Sequence, residues 1–252
     1  MSWFKKDTPK FRFKSFIGDF SVATPVTTAS SIRTPWMKKQ DKDHKFQKCP
    51  GMLDYANAGY IITAHADIHI KANKVACNVI VESAHLPPHE GEMLIPRPFD
   101  FKIVEGLAPI QDGVVKWAGK IPLPWSVQAD KGWSGYTMPA LVHSNFLDKI
   151  FVYPGVVDYD NFHTLNFVFS PIKECEFTIP AGTPLLQIIP FKREKVFAAE
   201  CGKATEKEKD KHLFNTASRL SHYYRKFLSS KKQYTMECPY KHREVGGADN
   251  LG

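Results

Sequence analysis

The residue pattern predicts a mainly β protein: a distorted barrel or sandwich with an irregular N-terminal arm and one amphipathic helix near the C-terminus. Three observations carry that reading. Short segments alternate apolar and polar residues at period two between Gly and Pro turns, as half-buried strands do. The chain holds 18 Phe, enough large apolar side chains to fill the interior of a sandwich or barrel. One helix announces itself through Thr205 and Glu208, a capping box. Leu213, Ala217, Leu220, Tyr224 and Phe227 then recur at three- and four-residue steps, the stripe of one buried face.

These signals divide the chain into an arm over 1–49, a β domain over 50–195, a helix over 203–232 and a tail over 233–252. Pro9, Pro25, Pro35 and Pro50 punctuate the arm, and its aromatics (Trp3, Phe4, Phe11, Phe13, Phe16) favour packing on the main domain or on a neighbouring subunit. Strands are expected at Tyr60–Ile70 and Lys74–Glu82, joined by a hairpin turn at Ala72-Asn73. Further strands are expected at Phe99–Val104, Val114–Ile121, Tyr136–Val142, Ile150–Val152, Leu165–Phe169, Glu176–Ile179 and Pro184–Pro190.

The net charge of +8 is unevenly spread. Residues 1–50 hold 11 Lys and Arg against 4 acids, residues 191–252 hold 14 against 8, and the middle holds 9 against 14. Two basic ends around a slightly acidic centre suit an anionic partner, a nucleic acid or an acidic protein face. The arm and the helix also predict a homo-oligomer. No apolar run reaches the length of a secretory leader or a membrane span, so a protein of the cytoplasm or a virion is expected, without membrane partners. Five widely spaced cysteines without a Cys-x-x-Cys predict idle thiols.

The most specific stretch is 133–194. It contains Gly135-Tyr-Thr-Met-Pro-Ala-Leu-Val-His-Ser-Asn, then Pro154-Gly-Val-Val-Asp-Tyr-Asp, then Phe177-Thr-Ile-Pro-Ala-Gly-Thr-Pro-Leu-Leu-Gln-Ile-Ile-Pro-Phe. Order and spacing resemble the dUTPase and dCTP deaminase family, the β-clip barrels. The resemblance implies that Asp158 stands where the family's water-orienting carboxylate does and Gln187 where a Gln near the phosphates does. Asp160, His143 and Tyr136 join them as candidate ligand contacts. The family's Arg-Ser-Gly loop is here Ala140-Leu-Val-His-Ser, without a phosphate-holding Arg, and Asn161 stands where a uracil-stacking Tyr belongs. Triphosphate cleavage needs cations at the phosphates, so the likeness implies a fold more than a reaction. Together with Cys49-Pro-Gly-Met-Leu-Asp-Tyr-Ala and Lys192-Arg-Glu, residues 49–194 also resemble an uncharacterised domain family of bacteria and cyanophages, which points to a viral source.

A second constellation is His65-x-Asp67-x-His69. On one strand these three would share a face, with successive members about 7 Å apart. Two imidazoles and a carboxylate suit a divalent metal, and His85, His89 and Glu92 stand near in sequence to complete it. The same three residues equally fit an outward polar strand face. Three readings therefore stand: a viral binding or assembly protein without nucleotide hydrolysis, a nucleotide hydrolase or deaminase relative using Asp158, and a non-haem metal oxygenase using His65, Asp67 and a further His.

Overall fold

The computed structural model describes residues 11–17, 26–32, 50–82, 86–161, 163–193 and 202–217. The chain divides into two compact units, one of residues 1–29 and 59–193, the other of residues 30–58 and 194–252.

The first unit is three antiparallel sheets. In the first, β1 (Phe11–Ser15), β7 (Ala118–Ala129), β11 (His163–Pro171) and β9 (Ile150–Val152) lie in that order, and β6 (Arg97–Phe99) also pairs with β7. The second runs β10 (Gly155–Asp158), β8 (Trp133–Pro139), β13 (Pro184–Lys192), β3 (Tyr60–Thr63) and β2 (Thr27–Thr28). The third is β12 (Cys175–Ile179), β4 (Ile68–Ala72) and β5 (Cys77–Val81). One apolar core serves all three. Ile121 and Phe167 come from the first, Ile62 and Ile188 from the second, Ile70 and Ile179 from the third. Along β11, Leu165, Phe167 and Phe169 are buried in alternation, the period-two signature of a face turned to a core.

The protein is thus mainly β, as the pattern predicts, but its sheets do not close into a barrel. The reason lies at β9 and β10. Tyr153 donates its N–H to Val168 O at 2.9 Å, the last rung on β11, and Pro154 follows with no N–H to give. The chain therefore leaves the first sheet there, crosses, and pairs with β8 as β10. After Asp158 the chain re-enters the first sheet at His163 as β11, so β10 and β11 are consecutive strands in different sheets.

Several expectations are corrected. Tyr60–Ile70 is not one strand: β3 ends at Thr63, and β4 begins at Ile68 in another sheet. Ala64 N donates to Thr183 O, and Ala64 O accepts from Gly182 N, bonds that end the ladder and turn the chain. Phe101–Val104 is a short helix, α3, because the Asp100 carboxylate accepts from Lys102 N at 3.0 Å as an N-cap. Val114–Ile121 begins as loop, and its strand runs on from Ala118 to Ala129. The Pro154–Asp160 segment, absent from the expected strands, contains strand β10. The hairpin at Ala72-Asn73 is present: Asn73 Oδ1 accepts from Val75 N and Ala76 N at 2.8 and 2.9 Å, an Asx turn joining β4 to β5. Two further helices, which the pattern does not predict, are α1 (Pro50–Asn57) and α2 (Pro88–Met93).

In the second unit, α4 (Glu206–Ala217) starts as predicted. Thr205 N donates to Glu208 Oε2 at 2.7 Å, and Glu208 N donates back to Thr205 Oγ1 at 3.4 Å. Its expected buried stripe is corrected at Leu213, which is 63% exposed, beside Phe214 at 69%. Leu220, Tyr224 and Phe227 lie outside the described residues. Among the described residues no helix is long and apolar enough to cross a membrane.

Candidate functional site: a groove between two sheets and a clamp behind it

Because β10 and β11 part company, a groove of about 300 Å³ opens between them. Tyr159, Val157 and Thr137 line one wall and Leu165, Asn166 and His163 the other, with Phe99 and Val104 also at its edge. Tyr159 is fully buried, and its hydroxyl lies 2.8 Å from Thr137 Oγ1. Burial pushes that phenol up to about 12. Nearby, the Tyr153 hydroxyl lies 2.9 Å from Ser170 Oγ, and Asn166 Nδ2 donates to Thr164 O. Among the described residues no Lys, Arg, Asp or Glu lines this groove. Its chemistry is aromatic faces, hydroxyls, an amide and an imidazole, which suits an uncharged ligand.

The predicted carboxylate is not in the groove. Val157 faces the groove, so its strand neighbour Asp158 points to the opposite face of the sheet. There it is held. Ser134 Oγ donates to Asp158 Oδ1 at 2.6 Å, and Arg193 Nη1 lies 3.0 Å from the same oxygen. Arg193 also pairs with Asp160, whose other oxygen accepts from Gly132 N at 3.1 Å. The Arg193 backbone N–H donates to Gly132 O at 2.8 Å. Arg193 thus ties the end of β13 to the β10–β11 turn through its guanidinium and to the β7–β8 turn through its backbone N–H. The Ser134 hydroxyl and then the guanidinium hold the Asp158 carboxyl below its ordinary 3.8. The carboxylate is thus held as the anion in an ion-pair clamp.

The clamp predicts a pH signature. Because the folded-state pKa of Asp158 is lowered, its contribution to stability is fully present above 3.8 and is lost as pH falls through the lower folded value. Denaturant midpoints of wild type and Arg193→Met, measured from pH 6 to pH 2, are expected to differ at pH 6 and to converge at the acid end. A gap that stays constant with pH would remove the ion pair as a contributor.

The remaining candidates separate along β8. Asp158 pairs with Ser134, whereas Gln187 pairs with Met138, four residues or about 13 Å along the strand. Gln187 is fully buried. His143 stands beyond the same end, in a turn where its N–H donates to Ala140 O at 2.8 Å. Tyr136 lies midway on the outer face, half-exposed, with its ring 4.5 Å from that of Phe191. The structure brings Asp158 and Asp160 together through Arg193 and leaves Gln187, His143 and Tyr136 apart from them. In the sequence Arg193 stands out only within Lys192-Arg-Glu, with no role attached. Its partners are 33 and 35 residues away in sequence, and the one local signal is a cation just past the last strand.

The metal constellation is corrected as a geometry. With β3 and β4 in different sheets, His65, Asp67 and His69 do not share a strand face. His65 is buried, and Asp67 Oδ1 accepts from Ala181 N at 2.7 Å. His69 sits on the outer face of the third sheet between Thr178 and Glu82. His89 and Glu92 lie on α2, and His85 is outside the described residues. Among the described residues no group of three His, Cys, Asp or Glu side chains is placed to hold a metal ion. Cys77 and Cys175 are free thiols on the two strands flanking Ala72, two strand spacings or about 10 Å apart, too far to bridge. Burial raises both, Cys77 to about 12, which keeps them protonated and unreactive.

No protein-family model matches the chain, and no curated protein is significantly similar to it.

Proposed function

We propose that this chain is a binding or assembly protein of viral type, on a fold related to the dUTPase barrels, that does not hydrolyse nucleotides. The observation that carries the reading is the position of Asp158. The carboxylate that would orient water lies on the outer face of its sheet, neutralised by Arg193, while the groove opens on the inner face. A triphosphate carries several negative charges, and transfer chemistry needs cations beside them. Among the described residues the groove lining has none. Gln187, the second implied phosphate contact, is buried about 13 Å along the sheet from Asp158. An uncharged ring with hydrogen-bonding edges suits the aromatic and hydroxyl lining better than a nucleoside triphosphate does.

The test incubates the full chain with each deoxynucleoside triphosphate and Mg²⁺ and measures pyrophosphate and ammonia. Neither is expected above the protein-free rate. Turnover that disappears in Asp158→Asn would overturn the proposal and install the hydrolase reading. The assembly half rests on a separate measurement. Light scattering is expected to show a defined oligomer that a Leu213→Asp/Phe214→Asp variant dissociates, since both side chains stand exposed on α4. A wild-type monomer would remove self-assembly. Truncating the arm is a poorer test, because β1 is a strand of the first sheet and its loss strips the edge of β7.

A further inference from the structure

The outer face of the third sheet carries a cluster that neither the groove nor the clamp uses. Register sets Thr178 opposite His69 and His69 opposite Ile80. His69 Nδ1 lies 2.8 Å from Thr178 Oγ1, and on the far side of the ring Nε2 lies 2.6 Å from Glu82 Oε1. Glu82 follows β5 directly and is fixed by its own N–H, which donates to Asp67 O at 3.0 Å. A carboxylate accepts and cannot donate, so in the neutral imidazole Nε2 carries the hydrogen. Nδ1 then presents its lone pair to the Thr178 hydroxyl. A polar strand face ordinarily leaves such side chains to water; this ring is held at both nitrogens.

Hydroxyl, imidazole and carboxylate in sequence, each within hydrogen-bond reach of the next, is the arrangement that activates a weak alcohol as a nucleophile. His69 and Thr178 line a depression of about 550 Å³, and Glu82 holds the His69 ring from its other side. Ile80 offers apolar surface there, and Lys71 and Asn78, the next pair on the same face, stand beside it as hydrogen-bond donors. Lys71 is paired with Glu176 at 2.7 Å, which leaves the depression without a free net charge from that pair.

We propose that Thr178, His69 and Glu82 form an acyl-transfer site for small uncharged esters. Thr178 is the nucleophile, His69 its base and Glu82 the positioning residue. The Thr178 oxygen attacks the acyl carbon while its proton passes to His69 Nδ1. The bond from the acyl carbon to the alcohol oxygen breaks, and the departing alcohol takes the proton from Nδ1. Water then attacks the acyl-threonine, gives a proton to Nδ1, and releases the carboxylic acid as that proton returns to the Thr178 oxygen. The acyl-threonine is trapped by acid quench during turnover, before water removes it.

The experiment treats the full chain with p-nitrophenyl acetate, follows p-nitrophenolate release, and maps the acetyl group by mass spectrometry. A single acetyl on Thr178 is expected, with release on the order of 100-fold faster than in Thr178→Val. Thr178→Ser retains the adduct, and His69→Gln loses it. Both positions lie on a solvent face, so thermal midpoints stay at the wild-type value and report that each variant is folded. Glu82→Gln keeps an acceptor for Nε2 but removes the charge. It is expected to slow acylation and displace its pH profile while leaving KM unchanged, which a merely structural Glu82 would not do. Acetylation confined to lysines, or release from Thr178→Val at the wild-type rate, overturns the site. These outcomes are independent of the nucleotide assay, since the two sites lie on different sheets.

Discussion

Gly59→Ala is expected to lower the unfolding free energy of the β unit by about 3 kcal/mol or more, read as a shifted urea midpoint. Two costs add at this position. Gly59 has φ +72°, where a side chain strains the backbone by about 1–2 kcal/mol. A Cβ there would also stand 2.0 Å from Ile188 O. That oxygen belongs to the backbone of β13, so no rotamer change can move it aside. The strand pair β3–β13, in which Tyr60 faces Ile188, would have to part at its end. Gly59 O also accepts from Ala29 N at 2.9 Å, so any shift disturbs the chain entering from β2. Gly182→Ala is the control. Its φ is +81°, but a Cβ there meets nothing within 4 Å, so it bears the conformational cost alone. Equal losses in the two variants would show that contact with β13 is not what requires glycine at 59. Against a typical total of about 5–15 kcal/mol, the first variant alone brings the unit near its threshold.

Local chemistry was legible in the sequence wherever a few neighbouring residues decide the outcome. Thr205 and Glu208 exchange the hydrogen bonds that their spacing announces. Ile150–Val152 is a strand with the predicted bounds, and the turn after Ala72 closes on Asn73. Elements failed where two patterns coincide. Phe101, Ile103 and Val104 suit either a strand or one helical turn, and the Asp100 cap decides for the helix. Residues 60–70 read as one strand from alternation in their second half, yet Ala64 bonds to the 182–183 turn, a partner that no local window contains. The site was harder still. Asp158 was found through its motif, but its face depends on β10 being a strand, and its neutralisation depends on Arg193 across two turns. His69 was singled out for a metal through neighbours in sequence, whereas its partners are Thr178, 109 residues away, and Glu82. Side-chain chemistry is written locally; the pairing of sheets, which selects the partners, is not.

Tyr159 joins fold and groove, and two substitutions separate its parts. The ring is fully buried and lies edge-on to Phe11 and His163 at 5.9 and 6.3 Å. It covers Gly135 so closely that a Cβ there would meet it at 2.7 Å. Tyr159→Ala removes this packing and is expected to cost about 3–5 kcal/mol, as large aromatic truncations do. Tyr159→Phe keeps the packing and loses only the bond to Thr137, about 0.5–1.5 kcal/mol. The phenol adds an alkaline signature. Its folded-state value of about 12 exceeds the ordinary 10.0, so its contribution is intact below pH 10 and is lost as pH rises towards 12. Urea midpoints measured from pH 8 to pH 11 should therefore fall for wild type and fall less steeply for Tyr159→Phe. Tyr60 and Tyr153 are raised by burial as well and supply the slope that remains. Identical slopes in the two proteins would mean that the Tyr159 hydroxyl reaches water through the groove. Its bond to Thr137 would then be an open, exchanging contact at the groove wall, and a ligand hydroxyl could replace it.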